Sequence, residues 1–246
     1  MPKLGLSTGL TRSGLTTPGI VTSDLVLKHK YDAGSVVPVS DGACKFNGTS
    51  DYIAIGAKPV DTADATYCFW ANSTVTGVND GVFGHTGELV CSFNFNHSSD
   101  RPILYLKNDK YQYWVDTPAQ DDGKWHHWAV VVDVDDMQNG TKLYVDGVLQ
   151  TQSTRDETGT ATSYGNLEIG RADSSNEYEG YLCNFGVWSS LLTQPQIKSI
   201  KWKNYANLTS SETTNLVSWW NLDSSVTAGA TTLTQDSHGS NHGTLL

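Results

Sequence analysis

Between Asp41 and Ser190 the sequence is a succession of short segments rich in Val, Ile, Phe, Tyr and Trp. Each is closed off by Gly, Asn, Asp or Ser. "ACKFNGTSDYIAIG" reads as two short strands about the turn dipeptide Asn47-Gly48, a strong hairpin signal. "ATYCFWANS", "GVFGHTG" and "ELVCSFNFN" follow. "RPILYLKN" and "KYQYWVD" then bracket a turn at Asn108-Asp109. "KWHHWAVVVDV", an acidic turn, "TKLYVDGVLQTQ", "GNLEIGR" and "GYLCNFGVWSS" complete the run. Strands of this length joined by polar turns specify an antiparallel sandwich and exclude alternating βαβ units.

One helix interrupts the pattern, in "LLTQPQIKSIKWKNYAN", and is predicted over about residues 193–206. Thr193 is its N-cap, and Gln196 three residues later completes a capping box. Leu192 and Ile197 form a hydrophobic staple, and Pro195 lies in the first turn, where its missing N–H costs nothing. The segment 214–246 returns to a strand, "LVSWWNLD", and then to glycine-rich turns. A chain of 246 residues with 38% apolar and 10% aromatic residues buries enough surface to fold without disulfides or metal. Cys44, Cys68, Cys91 and Cys183 are far apart and form no C-x-x-C pair, so they read as small buried apolar residues.

Charge and segment lengths exclude some partners. A formal net charge of −10 is unsuited to nucleic acid, whose phosphates demand clustered Lys and Arg. No run of 18 apolar residues exists, so no helical span of a membrane is expected. The N-terminus lacks the apolar core of a signal peptide, since Gly, Ser and Thr interrupt every apolar pair. Residues 1–40 instead read as an extended arm. Leu4, Leu6, Leu10, Leu15 and Ile20 are spaced by small polar residues, and before Asp24, the first acid, the cations are Lys3 and Arg12. Such an arm can order against a partner.

The order "DGKWHHWAVVVD", "TKLYVDGVL", "NLEIGR" and "YEGYLCNFGVWSSLLTQPQI" resembles the laminin-G-like, concanavalin A-type jelly roll over about residues 41–207. The resemblance implies an all-β antiparallel β-sandwich jelly roll at 41–246, with one short helix and the N-terminal arm at 1–40. It gives the Trp-His pair a structural role. His126 and His127 point to opposite sides of a strand and cannot share one metal ion. Jelly-roll glycosidases carry an E-x-D-x-x-E strand, and no glutamate here begins an E-x-D. Among the glutamates, Glu177 and Glu179 in "NEYEG" stand at i, i+2, but in a turn-like approach to the next strand, and no catalytic residue is assigned.

The same family includes lectins, for which Trp114, Trp188 and Trp202 are the candidate sugar platforms. No motif demands a cofactor. Many such jelly rolls hold calcium, and the oxygen donors available are Asp51, Asp133, Asp135 and Asp136. Where the family places an acid, however, this chain reads Leu182-Cys183-Asn184. A jelly roll preceded by a Gly/Thr-rich arm also resembles proteins of tailed-phage virions. That resemblance implies a non-catalytic capsid decoration or cement protein, or a tail appendage. It would be a homo-oligomer made in the host cytoplasm and found in the virion, its arm docking through Leu4, Leu6, Leu10, Arg12, Leu15 and Ile20 on partners such as the major capsid protein. The alternative is a carbohydrate-binding adhesion module. A polysaccharide-active enzyme is the third reading.

Overall fold

A computed structural model describes residues 40–246 apart from 41, 62, 77–79, 87–89, 97–100, 108–109, 158–163, 174 and 224–232. The predicted arm, with Leu4, Leu6, Leu10, Arg12, Leu15 and Ile20, lies outside the described residues.

The described strands build two facing antiparallel sheets and one hairpin. A seven-stranded sheet holds β1 (Cys44–Asn47), β3 (Ala65–Asn72), β8 (His126–Val132), β9 (Lys142–Val145), β10 (Val148–Leu149), β15 (Glu179–Trp188) and β16 (Leu216–Trp220). A nine-stranded sheet holds β2 (Ile53–Ile55), β4 (Asp80–His85), β5 (Val90–Asn96), β6 (Arg101–Lys107), β7 (Lys110–Val115), β11 (Thr151–Glu157), β12 (Leu167–Ile169), β17 (Leu233–Thr234) and β18 (Gly243–Leu245). The hairpin pairs β13 (Arg171–Asp173) with β14 (Asn176–Glu177). This is the predicted sandwich.

Aromatic rings from both inner faces fill the space between the sheets. Phe69 on β3 stacks on Phe185 at 5.4 Å and meets Phe83 and Phe93 of the opposite sheet edge-on, each at 6.2 Å. Tyr67 stacks on Phe83 at 4.4 Å, and its hydroxyl meets His85 Nε2 at 3.0 Å. His85 Nδ1 donates to the Gly165 carbonyl at 2.9 Å, so both ring nitrogens of this buried histidine are satisfied. All four cysteines are free and buried, as the sequence implies.

The expected hairpin at Asn47-Gly48 is a sheet-to-sheet corner instead. β1 pairs with β15 in one sheet, and β2 pairs with β12 and β18 in the other. Asn47 Oδ1 accepts from the N–H groups of Thr49, Ser50 and Asp51, which stabilises a loop that leaves the sheet rather than folding back along it.

The helix α1 (Gln194–Ile200) starts where predicted, with Gln196 Oε1 accepting from the Thr193 N–H at 2.8 Å. It ends six residues earlier than predicted and is followed by a 3-10 turn at Tyr205–Asn207. The cause is local: the Trp70 indole N–H donates to the Lys201 carbonyl at 3.1 Å, and Lys201 Nζ donates to the Asp146 carbonyl at 2.7 Å. Both contacts fix the chain in a turn just past Ile200.

Residues beyond the helix complete both sheets. β16 pairs with the second half of β15 (Phe185–Trp188), while β1 pairs with its first half (Glu179–Leu182), so the two strands share one edge end to end. β18 pairs with β2 in the opposite sheet. The strand expected in "LVSWWNLD" is thus present as β16.

Candidate functional site

Alternation decides which side chains of β3 can reach a ligand. Tyr67, Phe69 and Ala71 face the core, and Thr66, Cys68, Trp70 and Asn72 face outward. On β8 their outward neighbours are Val131, Ala129 and His127, paired with Thr66, Cys68 and Trp70. Most of this outer face is covered. Ile197 and Ile200 of α1 bury Cys68, Ala129, Val131 and Trp188 beneath the helix. Trp188 is therefore fully buried, and its indole N–H donates to the Glu212 carbonyl at 2.8 Å. Trp114 is fully buried in the main core. Neither ring is available to a sugar, which corrects their place among the candidate platforms. Both were strand residues whose parity alone could not reveal that α1 seals one face and the opposite sheet seals the other.

Trp202 is placed differently. It is 52% exposed, just past α1. Its ring leans on Trp70 at 5.5 Å, and Lys201 Nζ lies 4.6 Å from its centroid. Trp70 is held in turn by the edge of His127 at 5.5 Å. His127 is buried, and burial pushes its pKa down to about 3. It therefore stays neutral and serves as a packing surface, the structural role expected of the Trp-His pair.

Further along the same face, Tyr181 pairs with Asn72 from one side. Since Ala71 pairs with His126, Trp125 lies against Asn72 from the other side. Trp125 and Tyr181 are half-buried with ring centroids 6.3 Å apart, and Lys45 Nζ lies 5.8 Å from the Tyr181 ring. Asn72 Nδ2 donates to the Gly123 carbonyl at 2.8 Å. His126 Nδ1 meets Asp146 Oδ2 at 2.7 Å, and that hydrogen bond holds the imidazole pKa above its ordinary value. The result is an outer face with three accessible aromatic rings (Trp202, Trp125 and Tyr181) rimmed by Lys45, Lys201 and Asn72. Aromatic faces accept the C–H surface of a pyranose, and polar rims bond its hydroxyls. The sequence reading reached Trp202 and missed Trp125, Tyr181 and Lys45, which become neighbours only through strand register.

The carboxylates considered for calcium serve their own turns. Asp133 Oδ1 accepts from the N–H groups of Asp135 and Asp136, and Asp136 Oδ1 accepts from the Asn139 N–H. Asp51 Oδ1 accepts from Asn47 Nδ2 at 2.9 Å. Among the described residues no group of three or more His, Cys, Asp or Glu is placed to hold a metal ion.

Glu177 and Glu179 end on different strands, β14 and β15, but border one cleft of about 250 Å³. Gly48, Val75, Ser175 and Asn176 complete its walls, together with the buried Asp80 at the start of β4. Nothing around Asp80 in the sequence marks it for this place, since the hairpin that covers it comes about 90 residues later.

Comparison with known proteins defines the class. Residues 47–198 match the family model of the concanavalin A-like lectin/glucanases superfamily, and the chain belongs to that superfamily. A structure titled as a "putative carbohydrate binding protein" from Bacteroides ovatus is similar at 19% identity, with a TM-score of 0.61 over 82% of this chain. The chain spans 57% of that protein's length. The heptameric SAP-like pentraxin of Limulus polyphemus is similar at 16% identity, with a TM-score of 0.51, over 64% of this chain and 80% of the pentraxin. No curated protein matches the chain. β16 and β18 lie beyond the matched residues yet occupy both sheets.

Proposed function

We propose that this protein is a non-catalytic glycan-binding module, with Trp202, Trp125 and Tyr181 as its sugar-contacting surface. The observation that carries this reading is Trp202, a half-exposed ring fixed from behind by Trp70 and Lys201 rather than by the core. A large side chain held rigid in water is costly to keep exposed and inexpensive to order on binding. The similar Bacteroides ovatus structure, titled for carbohydrate binding, supports the same class of ligand. On a glycan array followed by titration calorimetry, Trp202→Ala is expected to weaken the best ligand at least about tenfold, the equivalent of ~1.4 kcal/mol. Its circular dichroism should be unchanged. Undiminished binding by Trp202→Ala, or an array without ligands, would overturn the reading.

A second reading places the module on a virion, as a decoration or cement protein or a tail appendage, with residues 1–40 docking on neighbouring subunits. The composition of that segment favours it: regularly placed leucines, Lys3 and Arg12, and no acid before Asp24 in an otherwise acidic chain. Full-length protein is expected to co-sediment with purified shells and to lose that property when residues 1–40 are deleted. Identical behaviour of the two proteins as free monomers would remove this reading.

A further inference from the structure

We infer that the cleft lined by Asp80, Glu177 and Glu179 is a subsite for an ammonium group carried on the glycan, so that the module selects amino sugars with free amines. The inference rests on the glycan-binding reading and adds the chemical class of its ligand.

The cleft is built by glycines. Hairpin β13–β14 lies directly on β4 because Gly81 and Gly84 carry no side chain. A Cβ at Gly81 would overlap the Asn176 carbonyl, and one at Gly84 the Ala172 carbonyl. This close approach brings Ser175, Asn176 and Glu177 beside Asp80, while Gly48 and Glu179 form the facing wall. Gly48 is at φ +72°, and a Cβ there would press on the Glu179 side chain, so glycine keeps that wall open.

Three carboxyl groups thus border one space, and among the described residues none of them has an ion-pair partner. The cross-strand neighbour of Glu177 is Arg171. It is engaged elsewhere, with Nε and Nη2 donating to the two Glu168 oxygens at 2.8 and 2.7 Å and its guanidinium 3.4 Å over the Tyr52 ring. Asp80 is 1% exposed, and its Oδ2 has no hydrogen-bond partner. Burial pushes its carboxyl up to about 7, against hydrogen bonds from the Glu179 backbone N–H and the Asn96 side chain, and the Glu179 charge adds to the rise. A buried carboxyl with one oxygen left unpartnered is costly to ionise, and a cation that enters the cleft offsets part of that cost and favours the ionised form.

The size and surroundings choose among cations. About 250 Å³ is room for roughly eight waters at ~30 Å³ each, well beyond a bare ion. The carboxylates are spread round the walls rather than gathered, consistent with no three of the described acids being placed to hold a metal. An ammonium on a carbon frame fits both facts. Glu179 is two residues before Tyr181 on β15, which puts the two on one face about 7 Å apart. A saccharide lying on Tyr181 and Trp125 therefore reaches the cleft with the substituent of an adjoining ring. A free amine there gains charge-assisted hydrogen bonds that an N-acetyl group lacks.

The test is calorimetric titration of the full chain, near pH 6.5 and at low salt, with chitosan hexasaccharide and with its fully N-acetylated counterpart. The free-amine oligomer is expected to bind at least about tenfold tighter, the scale on which a built polar site rejects an analogue lacking its partner group. Asp80→Asn and Glu177→Gln, each separately, should remove most of that preference, and Trp202→Ala should weaken both oligomers together. Glu177 is a partly exposed rim residue, so its variant reports even if the Asp80 variant misfolds. Equal affinity for the two oligomers overturns the amine subsite and leaves glycan binding standing. A preference that survives both substitutions reflects only the net charge of the chain and overturns it as well. Binding of neither oligomer overturns the subsite, and an array without ligands separately overturns the glycan reading.

Discussion

Replacing Phe69 by alanine is expected to cost about 3–5 kcal/mol of folding stability, the range for deleting a buried aromatic ring. Phe69 is 0% exposed and joins the two sheets through Phe185 on its own side and Phe83 and Phe93 on the other. The rings it meets are themselves held by further rings, so collapse into the vacated space would need several of them to leave their rotamers together. Against a typical total of about 5–15 kcal/mol, the loss is a third or more of the fold's stability. Urea unfolding should show the midpoint falling with the slope unchanged. A loss under ~1 kcal/mol would mean that the two inner faces repack, and that the core is not the close-packed aromatic layer described. Trp202→Ala, on the surface, should leave the same midpoint nearly unmoved.

Acid is expected to destabilise the protein from about pH 6.5 downward, through two histidines that fold in the neutral form. Burial lowers His85 to about 4 and His127 to about 3. In the unfolded chain each takes a proton near pH 6.5, so their contribution is complete above that value and is lost as pH falls toward 4 and then 3. At about 1.4 kcal/mol per pKa unit, each removes roughly 3 kcal/mol between pH 6.5 and 4. Asp80 works in the opposite sense. Its carboxyl is raised to about 7, so its ionised form is disfavoured in the fold, and acidification from pH 7 to 4 gives back up to about 4 kcal/mol. His126, held above its ordinary pKa by Asp146, also favours the acid side. The net loss for the natural chain is therefore at most about 2 kcal/mol over this window. Asp80→Asn removes the compensation. That variant should be the more stable at pH 8 and show about three times the acid loss, measurable as urea midpoints at several pH values. A midpoint for Asp80→Asn that stays level between pH 7 and 4 would show that neither histidine is neutral in the fold.

How far the sequence could be read depended on what covered each strand. In "KYQYWV" burial alternates strictly, because one face meets the core and the other meets solvent. The period-two pattern there is the fold itself. In "ATYCFWAN" seven of eight residues are buried, since α1 covers what would otherwise be the outer face. Alternation then carries no information about inside and outside, and Trp188 could not be told from a surface ring. Trp202 was recognisable as a candidate, although the helix was expected to run past it. Asn47-Gly48 announced a turn correctly and its partner strand wrongly, because a dipeptide fixes local geometry and not the sheet to which the chain goes next. The cleft was the least legible feature. It depends on Asp80, on a hairpin crossing Gly81 and Gly84, and on a corner at Gly48, three places that approach one another only in the folded molecule.

The placement of β16 and β18 bears on how the protein is made. A ribosome delivers the chain at about 5–20 residues per second, and domains tend to fold as their sequences emerge. Here β2 keeps one edge bare, and half of β15 lacks its outer neighbour, until residues 216–245 have left the exit tunnel. Residues 47–198, which carry the family match, would spend that interval as a nascent sandwich with unpaired edges, the form most prone to join another chain. Synthesis speed over residues 216–245 therefore sets how long those edges stay open to another chain.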